Sequence, residues 1–240
     1  MFSPNGIRAI LFDLDGTLRF SEPRFFHILY EYAVQAGCTA TVDNHRCAMR
    51  WQHRYWAQSP EMLADMAAFG FDQEIFWLNH TRLFIEALGV EPALAKSLAV
   101  GVHRRITDEY HPISQVPAET IETLKSLQQA GFLMAVVSNR SSNFEAELAD
   151  LGLSSYFQYA IAAGEINSWK PEAEIFLHSV QRLGITPQQA LYVGDNYYAD
   201  VLGAQKAGLH PVLVDPDEVF PDADCPVIAN VGLLASVLPK

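Results

Sequence analysis

Four short polar segments interrupt an otherwise apolar text: Asp13-Leu-Asp15-Gly-Thr-Leu, Ser138-Asn139, Lys170-Pro171 and Gly194-Asp195-Asn196-Tyr-Tyr-Ala-Asp200. Each ends a strand-like run or precedes a helix-like one, and each holds residue types that a core would not choose. Asp13 and Asp15 are two residues apart, so on an extended chain their carboxylates point the same way and repel unless a cation neutralises them. A hard divalent ion suits that need, because magnesium takes oxygen ligands and joins carboxylates to a phosphate. Asp195 and Asp200 supply further acids. Asp200 lies about one and a half helical turns past Asp195 and need not share its direction, so its expected part is support, orienting Lys170 or a metal-bound water. Ser138 and Asn139 offer a hydroxyl and free backbone N–H groups to phosphate oxygens. Lys170 adds a mobile positive charge for the same oxygens. Taken singly, these strings also read as a turn, a helix cap and a solvated linker.

The elements that must hold these residues alternate. Residues 7–12 form a short apolar run ending at Asp13, the pattern of a buried strand. Strands are also expected at 132–137, 159–162, 191–193 and 211–214, with helices at 118–130, 143–151, 172–183 and 199–207 and a short final pair around 227–238. Between them, 23–36, 42–58, 62–69, 74–88 and 92–109 read as helices at 3.6-residue spacing with no convincing strand. The fold class is therefore α/β: a Rossmann-like parallel-sheet core, residues 1–18 plus 112–240, with an inserted all-helical domain at 19–111. In such sheets ligands bind outside the carboxyl ends of the strands, where the four segments lie.

Together, in this order, the segments resemble the four motifs of the haloacid dehalogenase-like hydrolases, and the resemblance runs through 5–18 and 112–215. The helical insertion is similar to that family's C1-type cap. The resemblance implies a magnesium-dependent phosphatase of small-molecule phosphomonoesters. In it Asp13 attacks phosphorus and forms an aspartyl-phosphate, and Asp15 serves as general acid and then general base. It implies metal ligation by Asp13, by Asp15 through its backbone carbonyl and by Asp195, and phosphoryl binding by Ser138, Asn139 and Lys170. A phosphomutase shares the same intermediate. A non-catalytic binding module on the same fold is the rival from another class, and all the expected residues are present against it. A haloacid dehalogenase needs neither a proton for its leaving group nor a metal, so Asp15 and the Asp195/Asp200 pair argue against it. A phosphonatase needs a Schiff-base lysine in the insertion, which contains only Lys96 and no matching motif.

In the insertion, Arg46, Arg50 and Arg54 recur every four residues, interleaved with Trp51, Tyr55 and Trp56. The stripe is either a solvated face beside a core stripe or a contact for an anionic or ring-bearing substrate. Arg19, directly after the first motif, is a further substrate candidate. Many relatives carry an acidic residue near Phe20, so their substrates do not carry over to this chain by analogy alone. His27, His53 and His103 read as packing or surface residues.

Composition sets outer bounds. The 240 residues are half apolar and 18% charged, enough for one core and a smaller second one. A net charge of −12 repels nucleic acid. No apolar run is long enough to span a membrane and no basic-plus-apolar leader opens the chain, so a cytoplasmic enzyme is expected. Cys38, Cys47 and Cys225 lack disulfide or zinc spacing.

Overall fold

The computed structural model describes residues 6–39 and 41–238. The chain divides into two compact units, Met1–Phe20 with Gln115–Lys240, and Ser21–Ser114. Two three-residue strands, β2 (Phe20–Glu22) and β3 (Ile113–Gln115), pair with each other where the chain passes from one unit to the other. Sequence periodicity does not reveal them, because three residues are too few to establish a repeat of two.

The first unit is built on β1 (Ala9–Phe12), β4 (Leu133–Ser138), β5 (Tyr159–Ala162), β6 (Ala190–Gly194), β7 (His210–Val214) and β8 (Val227–Ile228). They form one sheet in the order β5-β4-β1-β6-β7-β8, with all five neighbouring pairs parallel. Side-chain alternation explains its two cores. Ile10, Phe12, Met134, Val136, Leu191 and Val193 face one side, packed by Leu124 and Leu127 of α6 (Ala118–Gln129) and Leu148 of α7 (Glu145–Asp150). Ala9, Leu11, Ala135, Val137, Ala190 and Tyr192 face the other. There Ile175, Phe176 and Val180 of α9 (Ala173–Arg182) and Ala204 and Ala207 of α10 (Leu202–Ala207) cover them. The strand order departs from β1 in both directions, which makes the β4-β1-β6 junction a topological switch point. A short helix, α8 (Ala163–Ile166), follows β5 at once and carries too few residues to leave a periodic signal.

The second unit is helical: α1 (Phe25–Gln35), α2 (Val42–Trp56), α3 (Pro60–Phe69), α4 (Glu74–Ala87) and α5 (Pro92–Glu109). Its starts follow local rules. The Thr41 hydroxyl accepts from Asn44 N–H at 3.1 Å. Ser59 caps α3 and Glu91 caps α5, each followed by a proline in the first turn. Ser59 therefore starts α3 two residues before the hydrophobic pattern alone suggests. Leu29, Ala48, Phe84, Leu88, Ala99 and Val102 form its main core, and Tyr55, Met62 and Phe76 a second. No helix among the described residues is long and apolar enough to cross a membrane.

Candidate active site

Register brings the motifs to one edge of the sheet. Phe12 pairs with Val136 on one side and Val193 on the other, so the residues following these strands emerge together. Asp13 N–H donates to Val193 O at 2.9 Å, and Ser138, buried, closes β4.

Lys170 is the hub. Its Nζ donates to Asp13 Oδ1 at 2.6 Å, to Asp200 Oδ1 at 2.7 Å and to the Tyr192 hydroxyl at 3.0 Å, which engages all three ammonium protons. Tyr192 in turn donates to Val137 O at 2.9 Å. The lysine backbone is fixed as firmly: Asn139 Oδ1 accepts from Lys170 N–H at 2.7 Å, and Asn139 Nδ2 donates to Lys170 O at 2.9 Å. The side chain of Asn139 is therefore occupied in holding the Lys170 backbone, while its own backbone N–H is the group expected to meet an anion. Pro171 stands two residues before α9, whose N-cap is Glu172, and so lies outside the first helical turn.

Asp13, Asp195 and Asp200 each place a carboxylate oxygen within 4.8 Å of the other two. Asp200 joins the group from the widened turn Tyr197–Val201, where its N–H donates to Asn196 O at 2.7 Å. Asn196 N–H then donates to Asp200 Oδ2 at 2.9 Å. Two glycines make room: a Cβ on Gly16, whose φ is +86°, or on Gly194 would collide with the carboxylates of Asp195 and Asp200 respectively. Thr17 Oγ1 donates to Asp195 Oδ1 at 3.4 Å. Burial pushes the Asp13 carboxyl up to about 7 despite Lys170, with Asp200 and Asp15 adding repulsion. Burial, then Asp13 and Asp200, raise Asp195 well above the usual range. When all three are ionised, these carboxylates facing one ammonium carry a double negative charge, and an all-oxygen donor set with that excess fits a hard divalent cation.

Asp15 behaves differently from its neighbour. Strand β1 ends at Phe12, so alternation no longer governs the pair, and Asp15 sits in a tight turn bridged to Arg19. Its carboxylate accepts from Arg19 Nη1 at 2.5 Å and from Arg140 Nε and Nη2 at 2.9 and 3.0 Å. Arginines, not a shared cation, neutralise its side chain. Arg19, expected near substrate, is thus placed beside Asp15. Arg46, Arg50 and Arg54 lie on α2 of the helical unit, where Arg46 stands 3.8 Å from Asp43 and Arg54 donates to Glu61 at 3.4 Å. Arg54 is exposed, and Arg46 and Arg50 are half-buried. Lys96 is exposed on α5. Tyr192 and Arg140 escaped the sequence reading. A tyrosine in a buried strand signals a hydroxyl in need of a partner, and Arg140 directly follows Ser138-Asn139.

The chain is similar to known proteins over most of its length. The chain is 29% identical over 238 residues to the human haloacid dehalogenase-like hydrolase domain-containing protein 3, covering 98% of this chain and 90% of that one. It is 28% identical over 214 residues to the glyceraldehyde 3-phosphate phosphatase of Methanopyrus kandleri, covering 87% and 84%. In fold it is similar to a 2-haloacid dehalogenase from Pseudomonas syringae pv. Tomato DC3000, with a TM-score of 0.54 at 24% identity over 97% of this chain and 98% of that one. Residues 7–208 match the family model described as haloacid dehalogenase-like hydrolase, and the chain belongs to that family.

Proposed function

We propose that the protein is a magnesium-dependent phosphatase that hydrolyses a small-molecule phosphomonoester through an aspartyl-phosphate on Asp13. The observation that carries this reading is the doubly negative carboxylate cluster around Lys170 at the sheet's switch point. Asp13, Asp195 and the Asp15 backbone carbonyl are the groups that would hold the ion, with Asp200 retained by Lys170. Bound there, magnesium lowers the charge on the phosphoryl oxygens and opposes their repulsion from Asp13.

The chain's own residues do the rest. An Asp13 oxygen attacks phosphorus and the ester oxygen departs with a proton from Asp15. Water then attacks the same phosphorus, gives its proton to Asp15 and releases phosphate and free Asp13. Lys170 opposes the effect of burial on Asp13 and holds it in line, and the Ser138 hydroxyl with the Asn139 backbone N–H binds phosphoryl oxygens. A haloacid dehalogenase has no use for the acids at 195 and 200, which favours the phosphatase reading.

The helical unit is read as a C1-type cap from its insertion after the first motif. A cytoplasmic setting goes with a small soluble ester, since a net charge of −12 opposes nucleic acid. The test is phosphate release from a panel of phosphomonoesters with magnesium or with chelator, using Asp13→Asn as control. Magnesium-dependent release lost in the variant supports the reading; release undiminished by the substitution removes Asp13 as nucleophile.

A further inference from the structure

Asp15 and Asp13 are separated by one residue, yet their surroundings share nothing. Asp13 is buried against Lys170, whereas the Asp15 side chain is 41% exposed and gripped by two guanidinium groups. Arg140 is used on both edges of its planar fork. One edge, Nε and Nη2, holds the Asp15 carboxylate side-on, while Nη1 and Nη2 are bound to the Glu147 carboxylate. Arg19 Nε lies 3.6 Å from Glu147 Oε1 and closes the four-membered network. Glu147 is carried on α7, and the Arg140 guanidinium lies 5.3 Å from the Phe144 ring just before that helix.

Two arginines and two carboxylates balance in charge, and neither edge of Arg140 is left for an anionic ligand. That disfavours a substrate-anion subsite. A side-on pair instead fixes the plane of the carboxylate it holds. Asp15 Oδ1 takes two donors, from Arg19 and Arg140, while Oδ2 takes one. One acceptor position thus stays open on Oδ2.

Resting on the phosphatase reading above, we propose that Arg140, braced by Glu147, is a positioning residue for Asp15: it presents Oδ2 as the atom that exchanges a proton with the leaving oxygen and then with water. Arg140 touches neither substrate nor phosphorus in this role. Its contribution scales with how much the leaving group needs a proton.

The test compares kcat/KM for an alkyl phosphate, a poor leaving group, with that for p-nitrophenyl phosphate, a good one, in the wild type, Arg140→Ala, Arg140→Lys and Glu147→Gln. Arg140→Ala is expected to lower the alkyl value by roughly 10- to 100-fold and the aryl value by less than about threefold, a part of the roughly 10²- to 10⁴-fold that a general acid supplies. Arg140→Lys, which keeps the charge and loses the fork, recovers part of the alkyl loss. Glu147→Gln, which leaves every Arg140–Asp15 bond chemically possible, shows the same bias more weakly. Equal losses on both esters, or a rise in KM alone, would overturn the positioning role in favour of a structural or substrate-binding one. Absence of wild-type turnover on both esters is a separate result, which overturns the phosphatase reading itself.

Discussion

At the edge of the sheet, Lys170 gives each of its three protons to a different oxygen, two of them on carboxylates far from it along the chain. In the helical unit, Gln52 and His80 are buried just as deeply but meet differently. Gln52 Oε1 accepts from Trp56 Nε1 at 3.0 Å and lies 2.9 Å from His80 Nε2, while Gln52 Nε2 and His80 Nδ1 have no hydrogen-bond partner. Trp51, Tyr55, Trp56 and Trp77 surround the His80 ring, with centroids 5.2 to 5.9 Å away. Burial drives this imidazole down to about 3, so it stays neutral. One unit thus keeps an excess of like charge, tolerable when a cation is bound; the other removes charge and packs what remains. Excess charge held in place at a switch point belongs to chemistry, and a neutral polar pair within aromatics belongs to packing.

The largest effect that separates the two regions is at Lys170. Lys170→Ala should lower kcat by at least about 10²-fold, the scale for loss of a preorganised donor to developing charge, as measured on the best ester of the panel. A drop of less than threefold would place Lys170 outside the reaction. Next comes Gly16→Ala, whose added Cβ displaces the Asp195 carboxylate. It should raise the magnesium concentration for half-activation by about tenfold or more, the usual scale for a disturbed metal site, and an unchanged magnesium titration would show that Asp195 is not a ligand.

The two units should also answer pH with opposite signs. His80 has a folded value below its unfolded one, so its stabilising effect is complete above about 6.5 and is lost as pH falls toward 3. By pH 5 that loss amounts to about 2 kcal/mol. Asp13 has a folded value raised to about 7, so without metal its unit loses stability as pH rises from the ordinary carboxylate range through 7. Amide hydrogen exchange in chelator at pH 5 and pH 7, read separately over each unit, checks both slopes; like signs in the two units would break the comparison. The smallest effects are expected on the α2 surface. Arg46→Ala and Arg54→Ala should each change unfolding free energy by less than about 1 kcal/mol in urea titration, as for exposed pairs.

Much of this division could be read in the sequence, because its causes are local. Alternating strands and helices, the long helical insertion and the four polar segments each carry a short-range signal. The α5 helix matches its expected bounds because Glu91-Pro92 marks its start and His111-Pro112 lies just past its end. What escaped depends on distance along the chain. Arg140 meets Asp15 across 125 residues and Asn139 meets Lys170 across 31. Tyr192, framed by Leu191 and Val193, looks like one more core residue until its hydroxyl is seen against Lys170. The spacing of Asp195 and Asp200 leaves their relative direction open, and only the fold shows Asp200 meeting Lys170 across 30 residues. Asp13 and Asp15 were paired by strand alternation that ends one residue too early.

The most direct measurement is mass analysis of the protein quenched in acid during turnover of a phosphomonoester in magnesium, followed by peptide mapping. One phosphoryl group on the peptide carrying Asp13, absent in Asp13→Asn, is the predicted result. Steady phosphate release with no phosphorylated peptide under single-turnover sampling, or with the phosphoryl group on another residue, would contradict an aspartyl-phosphate on Asp13.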